Sequence, residues 1–184
     1  MKRDDLSETP LQTETVFLGK LLNVKRDLVR LANGHEAVRE YISHPGATLV
    51  IPVLDNNKLV MERQYRHPLQ RTFIELPAGK IDPGEDPLTT GQRELLEETG
   101  YEAAEWRHLT TIHPCIGYSN EAIHIYLATQ LTAGEHCRNQ DETLEVLTLP
   151  LGEALGMVRN GEITDAKTVI ALFWAEKVLC GDWR

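Results

Sequence analysis

The sequence predicts an α+β fold, an α/β/α sandwich in which a mixed β-sheet lies between helices, preceded by an N-terminal antiparallel β extension. Three observations lead there. Short β-rich runs fill most of the first half, two of the junctions between them carry hairpin turn residues, and three helical segments follow at intervals rather than in one block. A chain of 184 residues that is 41% hydrophobic can bury a real core without disulfide staples.

Residues 1–14 are polar, contain Pro10 and read as a loose lead-in. Val16–Lys25, Asp27–Ala32 and Glu36–Ser43 read as strands, with Asn33-Gly34 turning the last two into a hairpin. His44-Pro45-Gly46 is a break. Ala47–Leu54 and Leu59–Tyr65 flank a second turn, Asp55-Asn56-Asn57, and Phe73–Leu76 is a further strand. The first helix covers Leu88–Thr99: Asp86 suits the N-cap, Pro87 the first helical position, and Gly100 the left-handed position after the last turn. Arg107–Ile112, Ala122–Ala128 and Leu144–Leu149 read as strands, and Leu151–Arg159 and Ala166–Leu179 as helices, the last capped by Asp165. The division expected is a β extension over residues 1–45 and one larger domain over residues 46–184.

Composition narrows function. With 19 Lys and Arg against 28 Asp and Glu, the net charge of −9 disfavours a nucleic-acid partner. The apolar stretch Ala47–Leu54 is too short for a membrane span, and Met1-Lys2-Arg3-Asp4-Asp5 lacks the apolar run of a signal peptide. Cys115, Cys137 and Cys180 have no CxxC spacing and read as reduced thiols of a cytoplasmic protein. Seven histidines without HExxH spacing give no zinc motif.

The informative stretch runs from Gly79 to Gly100. Glu94, Glu97 and Glu98 sit at i, i+3 and i+4 on one helix face, two of them in the last turn, where the macrodipole disfavours anions. On an arbitrary helix such a trio is a solvated acidic face. Here the loop before the helix is bracketed by Gly79 and Gly84, and Glu85 adds a fourth carboxylate. Breaking a local stability rule points to function, and a hard divalent cation such as Mg²⁺ or Mn²⁺ would compensate the repulsion. The loop is no Walker motif, because Glu85-Asp86 stands where Lys-Ser/Thr is needed.

Gly79, five residues, Glu85, seven residues, then Arg93-Glu94-Leu95-x-Glu97-Glu98-x-Gly100 resembles the Nudix box at every fixed position, with Tyr101 in place of the usual closing aliphatic residue. Pro45-Gly46-Ala47, Arg63-Gln64-Tyr65-Arg66, Glu75-Leu76-Pro77-Ala78-Gly79-Lys80 and Gly161-Glu162-Ile163-Thr164-Asp165-Ala166-Lys167-Thr168 are similar to the ADP-ribose pyrophosphatase branch of that family, from about residue 15 to the end. One position departs: Ile116 stands where the branch usually carries a proline.

The resemblance implies a Nudix fold and Mg²⁺-dependent hydrolysis of ADP-ribose or a related nucleoside diphosphate sugar to AMP and ribose 5-phosphate. It implies metal ligands at Glu94, Glu98, Glu97 and the Ala78 carbonyl, with Glu85 supporting them, and Arg93 holding the loop through a box carboxylate. It further implies a general base at Glu142 in Asp141-Glu142-Thr143, an acidic site residue at Glu121, and ribose and adenine contacts at Arg39 and Glu40, often supplied across a homodimer. The guanidinium of Arg66 is expected to pair bidentately with a substrate phosphate. For the Arg39-Glu40 pair, surface ion pairing is the competing reading. Trp106, Trp174 and Trp183 read as core or interface residues. Two other functions stay open: a Nudix hydrolase of another nucleoside diphosphate-X (a GDP-sugar, a dinucleoside polyphosphate or an oxidised nucleotide), and a sensor that binds ADP-ribose without cleaving it. A sensor is expected to have lost box carboxylates, and all four are present here.

Overall fold

The computed structural model describes residues 6–134 and 143–183. The chain divides into two compact units: Met1–Pro45 with Cys115–Glu121, and Gly46–Pro114 with Ala122–Arg184.

The first unit is an antiparallel meander of β1 (Thr9–Leu18), β2 (Asn23–Arg30) and β3 (Glu36–Ile42), in the order β1-β2-β3. The run Val16–Lys25 is not one strand. Gly19 N–H bonds the Leu22 carbonyl, and this tight turn splits the run between β1 and β2. The lead-in is likewise strand from Thr9 onward, because Pro10 falls on an edge strand, where a missing N–H is tolerated. The Asn33-Gly34 hairpin is as expected, with Gly34 at φ 87°.

The second unit holds two sheets. β5 (Lys58–Arg66) lies between β10 (Leu144–Pro150) and β6 (Arg71–Glu75), all antiparallel. The other sheet has the order β7-β4-β9-β8, with β4 (Ala47–Pro52) antiparallel to β7 (Ala78–Lys80) and parallel to β9 (Ile123–Ala133), while β9 is antiparallel to β8 (Tyr101–Ile112). The mixed sheet expected from the sequence is therefore present. β7 was not expected, since Ala-Gly-Lys carries no β signal of its own. β8 starts at Tyr101 rather than Arg107: it is an edge strand, and its charged residues Glu102 and Glu105 are both exposed to solvent.

All six residues of β4 are buried, and its alternation sets the layers. Leu49 and Ile51 enter the main core with Ala171, Leu172 and Ala175 of α3 (Ala166–Leu179), on which α2 (Leu151–Asn160) also packs. Thr48 and Val50 point the other way, towards α1 (Pro87–Glu94). Val50 joins Leu95, Ala128 and Trp106 in a smaller second core. Gly91 permits this approach: a Cβ there would lie 2.9 Å from Thr48 Cγ2. Helices on both faces of a mixed sheet are the α/β/α sandwich that the sequence predicts.

Candidate active site

Local chemistry starts the site helix where the sequence places it. Asp86 accepts hydrogen bonds from the N–H groups of Leu88 and Thr89, Pro87 opens α1, and Gly100 closes the segment at φ 72°. Such a cap contributes about 1 kcal/mol. Thr48 Oγ1 donates to the Pro87 carbonyl at 2.8 Å, pinning the helix start to β4. The helix is not uniform over Leu88–Thr99. At Leu95 it changes to a π turn, Leu95–Thr99, a winding found preferentially at functional sites. Glu94 ends the α segment, while Glu97 and Glu98 lie in the wider turn.

Arg93 is the hub of the cluster. Its Nε and Nη2 donate to the two oxygens of Glu85, each at 3.0 Å, and its Nη1 donates to Glu94 at 2.8 Å and Glu97 at 3.3 Å. Nη2 also reaches the Lys80 carbonyl at 3.2 Å, so one guanidinium ties three box carboxylates to the loop before the helix. These bonds, those to Glu85 foremost, raise the Arg93 pKa above its ordinary value. They also bring the Glu85 carboxyl down to about 2, helped by the hydroxyl of buried Thr90, which donates to Glu85 Oε2 at 2.8 Å. Thr90 was not singled out in the sequence; its place five residues after Glu85 gives no periodic signal.

Glu94 and Glu98 are 9% and 5% exposed. Glu98 Oε2 accepts from the Ala78 N–H at 3.0 Å, so the residue whose carbonyl is an expected ligand sits beside an expected ligand side chain. Gly79 leaves the space that Glu94 uses, because a Cβ at residue 79 would lie 1.8 Å from Glu94 Oε1. Two buried carboxylates and a backbone strand at the negative end of a helix are donors suited to a hard divalent cation. Among the described residues, however, no three His, Cys, Asp or Glu side chains converge to hold one ion. Glu85, Glu94 and Glu97 gather on Arg93 instead.

The remaining expected residues are dispersed. Arg66 is paired bidentately with Glu75, Nε to Oε1 at 2.7 Å and Nη2 to Oε2 at 2.8 Å. Arg39 pairs with Glu8 and Glu40 with Arg26, the ion pairing that competed with their reading as ligand contacts. Both also line a small cavity of the first unit with Ile116–Asn120, in which Ile116 is exposed. Glu121 lies 3.8 Å from the His44 ring. Glu142 lies outside the described residues. Trp106 belongs to the second core, and Trp174 packs edge-on against Trp183 at 4.4 Å between ring centres.

Comparisons with known proteins point to one family and one fold. The family model described as NUDIX domain matches residues 43–172. The chain is 41% identical to a methanol dehydrogenase activator of Bacillus methanolicus over 90% of both chains, and 40% identical to an ADP-ribose pyrophosphatase of Bacillus subtilis (strain 168) over 91% of both. A crystal structure titled as an ADP compounds hydrolase superposes with a TM-score of 0.86 at 26% identity, covering 99% of this chain and 100% of its own.

Proposed function

The chain belongs to the Nudix family, and on that footing we propose that it hydrolyses the pyrophosphate bond of ADP-ribose, or of a closely related nucleoside diphosphate sugar, to AMP and ribose 5-phosphate. The observation that carries this reading is the complete set of box glutamates, Glu85, Glu94 and Glu97 held by Arg93 and Glu98 by the Ala78 N–H.

Glu94, Glu98, Glu97 and the Ala78 carbonyl are proposed to hold the cation, with Glu85 steadying them through Arg93. Mg²⁺ is the cation proposed, with Mn²⁺ as substitute; bound there, it would neutralise the phosphate oxygens and acidify the attacking water. Arg93 keeps Glu85, Glu94 and Glu97 from repelling one another and fixes the loop relative to the helix. Arg66 is proposed to present its outer edge to a phosphate oxygen, its inner edge being spent on Glu75. Glu142 takes the proton of the attacking water, whose oxygen bonds phosphorus as the bridging P–O bond breaks. Arg39 and Glu40 are proposed as contacts to the substrate's ribose and adenine, and Glu121 as a further acidic substrate contact.

Residues 1–45 are proposed as a dimerisation extension and residues 46–184 as the hydrolase domain. The exposed apolar side chains Val16, Phe17, Leu18, Leu21 and Val38 support a homodimer. Light scattering on the purified chain tests it, and a monomer at micromolar concentration overturns it. Cytoplasmic location is proposed from the thiol pattern; no helix among the described residues is long and apolar enough to cross a membrane.

Product analysis tests the activity. The purified protein is incubated with Mg²⁺ and, in parallel, ADP-ribose, GDP-mannose, a diadenosine polyphosphate and an oxidised nucleoside triphosphate. AMP and ribose 5-phosphate from ADP-ribose, well ahead of the rest, support the proposal. Preference for another substrate keeps the hydrolase and removes ADP-ribose, while binding without cleavage points to a sensor. The 41% identity to a methanol dehydrogenase activator favours a second reading, action on a dehydrogenase. A chain inert on all four substrates that raises methanol dehydrogenase turnover would select it.

A further inference from the structure

A small cavity of about 130 Å³ lies at the end of β6, lined by Arg66, Leu69, Phe73, Glu75, Asp165 and Lys167. Its charged side chains form one chain of bonds. Glu75, 2% exposed, accepts both Arg66 hydrogen bonds on one side and Lys167 Nζ on the other, and Lys167 Nζ also donates to Asp165 Oδ2 at 2.9 Å. Burial alone would raise the Glu75 carboxyl, yet its pKa falls below the ordinary value because Arg66 and Lys167 outweigh the desolvation. Buried Glu62 also acts on the Arg66 charge, so three carboxylates face two cations, and the Lys167–Asp165 end, whose cation is spent on Glu75 and Asp165, has no net attraction for an anion.

The cluster keeps unused capacity of both kinds. Lys167 has three protons and two acceptors, and among the described residues Asp165 Oδ1 accepts nothing, since Lys167 and the Thr168 N–H both use Oδ2. Phe73 and Leu69 supply an apolar wall. A pocket with a spare donor, a spare acceptor, a carbon wall and no unspent cation at its Lys167 end matches vicinal hydroxyls on a sugar ring, and roughly four water volumes admit one small ring rather than a nucleotide.

The pocket adjoins the box. Glu75 precedes Ala78 by three residues, a chain reach of at most about 10 Å, and Ala78 N–H holds Glu98. The buried Thr168 hydroxyl accepts the Leu76 N–H at 3.1 Å, fastening the start of α3 to the same strand end. We propose that Lys167 and Asp165 form the subsite for the terminal sugar of the substrate, next to the phosphate that Arg66 would take. This rests on the nucleoside diphosphate sugar reading above, and makes Lys167 and Asp165 determinants of specificity for the X group.

The test compares ADP-ribose as substrate with ADP as competitive inhibitor, which lacks the terminal sugar, in wild type, Lys167→Met and Asp165→Asn. Asparagine caps helices as well as aspartate does, so the second variant keeps α3 intact. Each variant is expected to raise KM for ADP-ribose about tenfold, with kcat within about threefold and the inhibition constant of ADP unchanged. Parallel weakening of ADP and ADP-ribose would mark an anion site and overturn the subsite alone, as would an unchanged KM in both variants. A wild type that does not turn over ADP-ribose removes the parent reading and the subsite together.

Discussion

The Glu94 carboxylate occupies the volume into which a side chain at Gly79 would project, with Oε1 1.8 Å from the Cβ position. The box glycine is therefore required by a neighbour's side chain rather than by its own backbone angles, since Gly79 is not among the residues of positive φ.

Gly79→Ala should displace Glu94 and with it the Arg93 contact. Overpacking of this kind costs about 1–3 kcal/mol, a loss of a few degrees or more in Tm for a chain of this size. Melting curves and turnover with Mg²⁺ check it; a variant unchanged in both would mean that Glu94 moves aside freely.

Glu98→Gln keeps an acceptor for the Ala78 N–H while removing the charge. Turnover should fall at least about a hundredfold, with far-UV circular dichroism unchanged. Activity near wild type would take Glu98 out of the ligand set.

Mg²⁺ should stabilise the folded chain by mass action. At a hundred times its Kd the gain is about 2.7 kcal/mol, or roughly 5–10 °C in Tm. Differential scanning calorimetry across a Mg²⁺ series would read it, and the gain should shrink in Glu98→Gln. A flat series in the wild type would argue against ligation by the box carboxylates.

Acid sensitivity should track Arg93. Glu85 titrates at about 2 in the folded chain against an ordinary 4.5, so its contribution is complete above 4.5 and is lost as the pH falls towards 2. In Arg93→Met that pairing is gone, and stability should depend less steeply on pH over this interval. Urea midpoints at a series of pH values compare the two; equal slopes would mean that the Glu85 carboxyl owes its acidity to other groups.

What could be read in advance was local chemistry. Asp86, Pro87 and Gly100 each act within a few residues of themselves, and the box spacing survives as the Arg93-centred cluster. The π turn at Leu95–Thr99 was not legible, because α and π windings share the same residue preferences. Nor was the Glu75–Lys167 contact, which joins residues 92 positions apart by tertiary packing. Charged strand positions misled as well: Glu102 and Glu105 hid the first half of β8, an edge strand on which both are exposed. A carboxylate ending the β-rich run Phe73-Ile74 was the available hint that Glu75 is buried and paired.

The parallel pairing of β4 with β9 also bears on how the molecule is made. Residues 47–52 meet residues 123–128 directly, and α1 rests on β4, with Thr48 holding its first turn. The box is therefore synthesised well before the strand that completes its support, and a nascent chain ending at Gly100 has its acidic helix but lacks β9. Long-range closure of this kind slows folding and leaves the growing chain dependent on its later half. Truncation upstream of residue 123 should yield a polypeptide that carries the whole motif and no activity.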